Sequence, residues 1–222
     1  MVQKTALVIG ATGLVGSALL RQLLNDDRFG VVRIFVRRPS GIVHAKLEEH
    51  LIDFDQPSGW EHLVTGDVLF SALGTTLKQA GSKAAQYKID HSYQLAFAGA
   101  ASRNGVPVYV LVSSAMANEG SAIFYTRMKG ELERDVKKLP FRAIYILQPG
   151  MLSGDRKEQR MGEQIGTKVI RLLNRFGIAK SQQPVPAYVV AQAMIRLSQK
   201  DGLGIETHSL LEVFRQAGVK PV

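Results

Sequence analysis

The sequence predicts an α/β protein in which helices cover both faces of a doubly wound parallel sheet, with a small helical cap at the C-terminal end. Three observations predict this fold. Strand-like and helix-like stretches alternate through the first 150 residues, as in a parallel sheet covered on both faces. A glycine-rich turn joins the first strand-like stretch to the first helical one. Beyond Gly150 the pattern changes to helical periodicity.

Six strands and three helices are expected in the first two thirds of the chain. The strands are short apolar runs at residues 5–9, 31–36, 47–52, 67–71, 108–112 and 141–147. The third run is interrupted by charged residues, so we expect it nearer an edge of the sheet. The helices have apolar residues at helical spacing and are predicted at residues 14–24, 86–102 and 122–138.

The final third is expected to add helices at residues 161–176, 186–199 and 209–216, the last one capped by Ser209. A chain of 222 residues suits one domain, and we take residues 1–222 as that domain. Residues 151–222 would form a cap on the substrate side, at the carboxyl ends of the strands, where open α/β sheets bind their ligands.

Composition narrows the class of protein further. No apolar run reaches the roughly 18–20 residues that span a bilayer, and the N-terminus lacks a secretory pattern. The chain has no cysteine, which excludes disulfides, thiolate metal sites and cysteine nucleophiles. We therefore expect a cytoplasmic protein that neither enters a membrane nor relies on thiol chemistry.

The formal net charge of +9 raises nucleic acid as a partner. The basic residues are dispersed, however, and they form no long run and no aromatic-plus-basic stacking pattern. We therefore expect a solvated basic surface with a few arginines facing an anionic ligand, and no nucleic acid.

The glycine-rich turn has the spacing and the position of a phosphate-binding turn. Gly10 permits a tight turn, Gly13 lets the backbone approach a pyrophosphate, and Gly16 lets helix and strand pack closely. The free N–H groups of the first helical turn would face the phosphates. The alternative is an ordinary tight turn, which the placement between a buried strand and a helix disfavours. The sequence thus predicts a Rossmann-type dinucleotide site whose turn contributes Gly10, Thr12, Gly13, Leu14, Val15 and Gly16.

The end of the second strand indicates which dinucleotide is bound. An acidic residue there would bind the ribose hydroxyls of NAD, but this chain has Arg37 and Arg38. Guanidinium groups suit the additional 2′-phosphate of NADP. The alternative is a solvated basic strand end. We therefore predict NADP(H) in preference to NAD(H).

Two further segments are candidates for cofactor contact. Asp53 and Phe54 follow the third strand, where a carboxylate and an aromatic ring could contact the adenine. Small residues follow the fourth strand and would let the cofactor lie against backbone. The alternative for both segments is ordinary loop composition. This second set comprises Ala72, Leu73, Gly74 and Thr75.

Tyr125 and Lys129 form the candidate acid–base pair. They are four residues apart, so they share one face of a helix. Lowering a tyrosine pKa from about 10 to neutrality requires about 4 kcal/mol. A lysine ammonium about 4 Å away, at an effective dielectric near 20, supplies about that much. Ser114, at the exit of the fifth strand, could hold a substrate oxygen beside the phenol. The alternative is chance spacing on an amphipathic helix.

These motifs together resemble the short-chain dehydrogenase/reductase superfamily in its atypical or extended branch. Three segments, residues 73–76, 111–114 and 149–152, are similar to those of the Tat-interacting-protein-like oxidoreductases. The resemblance implies a Rossmann fold that binds NADP(H), with Pro149 and Gly150 among the cofactor contacts. It also implies a catalytic triad of Ser114, Tyr125 and Lys129. Tyr125 would be the general acid/base, Lys129 would lower its pKa and touch the nicotinamide ribose, and Ser114 would polarise the substrate carbonyl.

Two departures from the family pattern concern the catalytic end of the site. Many members have Arg before Pro-Gly, whereas this chain has Gln148. Some branches place an Asn for proton relay in the helix at residues 86–102, which contains none here.

The sequence therefore predicts an NADP(H)-dependent oxidoreductase that acts on a small carbonyl or alcohol. Two alternatives stay open: a non-catalytic NADPH-binding regulator with a protein partner, and a sugar-nucleotide epimerase-like enzyme. The short segment after Gly150 argues for a small substrate. No metal is expected, because the five histidines lack ligand spacing, and no G-x-S-x-G elbow supports hydrolase chemistry.

Overall fold

The computed structural model describes residues 3–153 and 184–220. At its centre lies a seven-stranded sheet in which every neighbouring pair of strands is parallel. Its strands are β1 (Lys4–Ile9), β2 (Phe29–Val36), β3 (Leu47–Leu51), β4 (Val68–Ser71), β5 (Val108–Val112), β6 (Ala143–Gln148) and β9 (Gly204–Ser209). A separate pair of two-residue strands joins β7 (Leu152–Ser153) to β8 (Val185–Pro186).

The strand order β3-β2-β1-β4-β5-β6-β9 is that of a doubly wound sheet. The chain begins in the middle at β1, runs outward to β3, and then crosses back to β4 on the other side of β1. Connections leave the carboxyl ends of β1 and β4 in opposite directions, which opens a crevice between them. The predicted Rossmann-type fold is confirmed, and β3 lies at an edge as expected.

Helices cover both faces of this sheet. In chain order they are α1 (Leu14–Leu24), α2 (Leu77–Ala80), α3 (Lys83–Tyr87), α4 (Tyr93–Arg103), α5 (Phe124–Val136), α6 (Ala187–Ser198) and α7 (Leu210–Ala217). Side chains alternate across β1: Ala6 and Val8 pack in the core that contains α1, α6 and α7. Leu7 and Ile9 pack in the opposite core, with α4 and α5. Since both faces of β1 are buried, it reads as a continuous apolar run.

The helix predicted at residues 86–102 is longer and less regular than expected. It begins at Lys83 and ends at Arg103, and its middle segment, Lys88–Ser92, is a wider π-helical turn. Asn104 and Gly105 end it, with Gly105 at a φ of +79°. The wide turn buries two polar side chains, Asp90 and His91, and such turns often occur at functional sites.

The C-terminal third contributes more to the core than expected. Helices α6 and α7 were predicted, and Ser209 caps α7 in a capping box with Glu212. Strand β9 was not predicted, because as an edge strand it exposes most of its residues, Ile205 among them. Helix α6 packs on α1 and on the sheet, so this part completes the doubly wound core. The helix predicted at 161–176 lies outside the described residues, as does the rest of the segment 154–183 of the expected cap.

Among the residues that the structure describes, no helix combines the length and apolarity needed to cross a lipid bilayer.

Candidate functional site

The glycine-rich turn between β1 and α1 packs directly against the loop that follows β4. Gly10 has a φ of +79°, and a side chain there would collide with the backbone of Ala72 and Leu73. A side chain at Gly16 would collide with the carbonyl oxygen of Gly10. Both positions therefore require glycine for close backbone approach, as the sequence predicts.

Helix α1 begins at this turn with its first amides free. Gly13 is the N-cap, in an extended conformation, and makes no side-chain cap bond. The first N–H groups of a helix lack intrahelical partners and carry the positive end of the helix dipole. Gly13 is exposed, so these donors are open to an anion.

Two cavities flank the turn along the carboxyl edge of the sheet and share Leu73 as a lining residue. We name the first the inner cavity, of about 210 Å³, and the second the outer cavity, of about 370 Å³. The inner cavity is lined by residues that include Gly13, Leu14, Val15, Ala72, Leu73, Gly74, Thr75, Asp90, Ser113, Tyr125 and Lys129. The outer cavity is lined by residues that include Gly10, Thr12, Arg37, Arg38, Phe54 and Leu73. Most of the predicted cofactor residues thus line one or the other of these two cavities.

In the outer cavity, the two arginines and the aromatic ring lie as expected. Arg37 and Arg38 follow β2 and are exposed, whereas Phe54 is buried in the wall. Asp53 is not among the lining residues. Its Oδ1 accepts the N–H of Asp55 at 2.9 Å and its carbonyl accepts the indole N–H of Trp60 at 3.0 Å. Asp53 therefore shapes the turn behind the cavity.

Tyr125 and Lys129 lie one turn apart on α5 and both line the inner cavity. Tyr125 is 39% exposed and accessible to a ligand. The Lys129 side chain is almost wholly buried, and its Nζ lies 3.2 Å from Oδ1 of Asp90. Burial acts to lower the pKa of Lys129, but Asp90 and Tyr125 outweigh it and raise the pKa above its usual value. Lys129 is therefore an ammonium at neutral pH.

Asp90 is the functional residue that sequence reasoning missed. Its second oxygen, Oδ2, accepts the N–H of Thr75 at 2.8 Å, and the carbonyl of Thr75 accepts Nε2 of Gln86 at 3.2 Å. Asp90 therefore joins the loop after β4 to Lys129. A signal existed in the sequence: Asp90 and Gln94 fall on the apolar, sheet-facing side of the predicted helix, with Phe97 and Ala101.

A second buried carboxylate, Glu133, lies one turn beyond Lys129 on the same face of α5. The hydroxyl of Ser113 donates to Glu133, and Nε2 of Gln148 donates to both carboxylate oxygens, at 2.9 and 3.0 Å. Gln148 thus has a defined partner. The hydrogen bonds between Gln148 and Glu133 connect the end of β6 to α5.

The structure does not bring Ser114 into the inner cavity. Its hydroxyl donates to the carbonyl of Ala115 at 3.3 Å, and the serine that lines the cavity is Ser113. Pro149 and Gly150 follow β6 and lie outside the lining of both cavities. The carbonyl of Pro149 accepts the N–H of Ala115 at 2.9 Å, which holds the loop after β5 to the end of β6. In residues 3–153 and 184–220, no cluster of acidic and histidine side chains could hold a metal ion.

The site combines three features: a switch point in a parallel sheet, a glycine turn at a helix N-terminus, and a buried lysine beside an accessible tyrosine. Together they define a nicotinamide-dinucleotide-binding protein. A family model described as NAD(P)H-binding matches residues 10–168. The chain belongs to this family.

Two fungal relatives show how far the likeness extends. The chain is 41% identical over 163 residues to "Protein fmp52, mitochondrial" of Aspergillus fumigatus, which covers 70% of each chain. It is 34% identical over 222 residues to "Protein FMP52, mitochondrial" of Eremothecium gossypii, covering 95% of this chain and 97% of the relative. Both names place the relatives in mitochondria, and the expectation of a cytoplasmic protein is therefore wrong.

Solved structures share the fold at low sequence identity. A UDP-N-acetylglucosamine 4-epimerase of Methanobrevibacter ruminantium superposes with a TM-score of 0.71 at 17% identity, covering 98% of this chain and 81% of that one. A short-chain dehydrogenase/reductase superfamily protein of Agrobacterium tumefaciens with bound NAD superposes with a TM-score of 0.69 at 16% identity. The superposition covers 93% of this chain and 77% of that one. The likeness to these structures is one of fold, and it agrees with the resemblance that the sequence motifs indicate.

Proposed function

We propose that the protein is an NADP(H)-dependent oxidoreductase that acts on a small carbonyl or alcohol. One observation carries the proposal: of two adjoining cavities that share Leu73 as a lining residue, one is lined by the arginine pair and the other by the Tyr125–Lys129 pair. The glycine turn contributes residues to both cavities. A bound dinucleotide that occupied both cavities would bring its reactive ring towards Tyr125.

The residues present fit such a cofactor. A side chain at Gly10 would fill the space where the turn approaches the loop after β4, and one at Gly16 would collide with the Gly10 carbonyl. The free amides of α1 suit a pyrophosphate. Arg37 and Arg38 would hold a 2′-phosphate, and Phe54 would lie against the adenine. Lys129 would contact the nicotinamide ribose. When bound, the cofactor supplies or accepts a hydride.

The side chains of this protein carry out the proton transfer that accompanies hydride transfer. During reduction, Tyr125 donates its phenolic proton to the substrate oxygen as negative charge develops there. The Lys129 ammonium stabilises the phenolate that is left.

Turnover of NADPH tests the proposal directly. Purified protein is assayed against a panel of small aldehydes, ketones, quinones and UDP-sugars, beside Tyr125→Phe and the matched control Tyr188→Phe, whose ring is 55% exposed on α6. We expect the wild type and the control to reduce at least one carbonyl and Tyr125→Phe to fail. Equal rates for all three proteins would overturn the catalytic role of Tyr125.

A second candidate function is an NADPH-binding regulator without turnover. The position of Ser114 favours it, because the hydroxyl is held by Ala115 and the neighbouring Ser113 is held by Glu133. Tight NADPH binding with no oxidation by any member of the panel would support this function. Conversion of a UDP-sugar without net NADPH consumption would indicate an epimerase-like enzyme instead.

We also propose a mitochondrial location. The names of the fungal relatives support it. Fractionation of cells that express the tagged chain tests it, and recovery with the cytosolic fraction alone would contradict it.

A further inference from the structure

Asp90 is a fully buried carboxylate whose two oxygens serve two different parts of the site. The residue is 1% exposed. Its Oδ1 lies 3.2 Å from the Lys129 ammonium, and its Oδ2 accepts the N–H of Thr75 at 2.8 Å. Thr75 and Lys129 both line the inner cavity. We propose that Asp90 is a positioning residue that keeps Lys129 charged beside Tyr125 and links it to the cofactor-facing loop.

The surrounding charges make Asp90 the direct counter-ion of Lys129. The titratable groups that face Lys129 are Asp90 from the wide helical turn, and Tyr125 and Glu133 from α5. Glu133 already accepts hydrogen bonds from Ser113 and Gln148. A buried ammonium without a close partner loses its proton readily. Asp90 is therefore the group that keeps this lysine ionised.

The position of Asp90 is itself supported by neutral groups. Its backbone carbonyl accepts Nε2 of Gln94 at 2.6 Å, and Oε1 of Gln94 accepts the hydroxyl of Ser71 at 2.6 Å. Both of these side chains are fully buried. This series of hydrogen bonds connects the end of β4 to the wide turn. It fixes the backbone of Asp90, while Lys129 and the Thr75 N–H bind the carboxylate.

The link to the loop after β4 gives the ion pair a second role. The loop also approaches Asp90 closely at Gly74, where a Cβ would lie 3.3 Å from Oδ1 of Asp90. A ligand that shifts residues 72–76 would move the Thr75 N–H and thus the carboxylate that holds Lys129. This role rests on the proposed function, in which Tyr125 and Lys129 form the proton-transfer pair.

The test measures the ionisation of Lys129 without requiring turnover. Folded protein receives brief pulses of acetic anhydride between about pH 7 and pH 10, and mass spectrometry quantifies acetylation of the peptide that contains Lys129. Asp90→Asn keeps an acceptor oxygen for Thr75 but removes the charge. We expect at least about tenfold more labelling of Lys129 near pH 9 in Asp90→Asn, since one unit of pKa changes the neutral fraction tenfold.

Glu131→Gln is the matched control, because it removes an ion-paired carboxylate from α5 outside the cavity lining. We expect it to label as the wild type does. Equal labelling of Lys129 in Asp90→Asn and wild type, with both folded by circular dichroism, would overturn the proposal.

If Asp90→Asn does not fold, the double variant Asp90→Asn/Lys129→Met decides the matter. The proposal requires the double variant to fold, because the unpaired ammonium is gone. A double variant that also fails to fold would overturn the proposal, because the charge of Asp90 would then be required for something other than Lys129. Labelling and folding do not depend on a substrate, so absence of turnover would reject the proposed function and leave this inference standing.

Discussion

Asp90 and Lys129 form an ion pair of 3.2 Å between Oδ1 and Nζ, with side-chain exposures of only 2% and 4%. The two residues come from different helical segments, the wide turn before α4 and the middle of α5. In a buried pair the desolvation cost offsets much of the attraction, and removal of one partner leaves an uncompensated charge. Replacing either residue alone should therefore destabilise the fold, whereas replacing both together should cost much less stability.

This asymmetry gives a stability prediction. Lys129→Met should lower the free energy of unfolding by roughly 3–5 kcal/mol, because Asp90 is left buried and unpaired. The free energy of unfolding should fall much less in the double variant Asp90→Asn/Lys129→Met. Urea unfolding followed by circular dichroism measures both. Lys138→Met, which breaks an exposed pair with Asp135, should cost no more than about 1 kcal/mol. A double variant as unstable as Lys129→Met would contradict the expectation.

Tyr125→Phe should lower kcat by about 10²–10⁴-fold, the usual contribution of a general acid. The ring is retained, so we expect the Kd for NADPH to stay within a factor of about two to three of the wild-type value. Stopped-flow oxidation of NADPH measures the first quantity and fluorescence titration the second. A large loss of NADPH affinity would instead assign Tyr125 to cofactor binding.

Replacing Arg37 and Arg38 together by glutamine should weaken NADPH binding by tenfold or more. Charge-assisted hydrogen bonds contribute roughly 1.5–3 kcal/mol each, and NADH lacks the phosphate that would receive them. Isothermal titration with both cofactors provides the comparison. Arg103→Gln/Arg215→Gln is a control for net charge, since both arginines are exposed and lie outside the lining of both cavities. Equal weakening of NADH and NADPH binding would remove the argument for NADP preference.

Gly16→Ala should destabilise the fold and abolish dinucleotide binding, because its methyl group would collide with the Gly10 carbonyl. Overpacking of this kind costs about 1–3 kcal/mol. Gly59→Ala is the matched control, since a Cβ there meets no atom within 4 Å. Thermal unfolding with and without NADPH measures both effects. Retention of the NADPH-induced rise in Tm by Gly16→Ala would show that the turn tolerates a side chain.

Local patterns were sufficient to predict most of the fold. The strands β1, β2, β4, β5 and β6 are buried on most of their length, so each appears as a continuous apolar run. The turn at Gly10 and the N-cap at Ser209 depend on residue types at fixed local spacing. Strand β9 is half exposed and pairs with β6 across some sixty residues of chain, so no local pattern indicated it.

The candidate site likewise contains some features that local sequence predicts and others that depend on tertiary packing. The sequence by itself determined the glycine turn, the arginine pair and the Tyr125–Lys129 spacing, because each depends on neighbours within one turn or one strand end. Only the tertiary structure decided that Ser113 rather than Ser114 lines the inner cavity, since successive side chains at a strand end point in different directions and the packing of α5 selects one. It also decided that Lys129 meets Asp90, 39 residues away. Burial between packed elements creates that contact, and sequence spacing does not encode it.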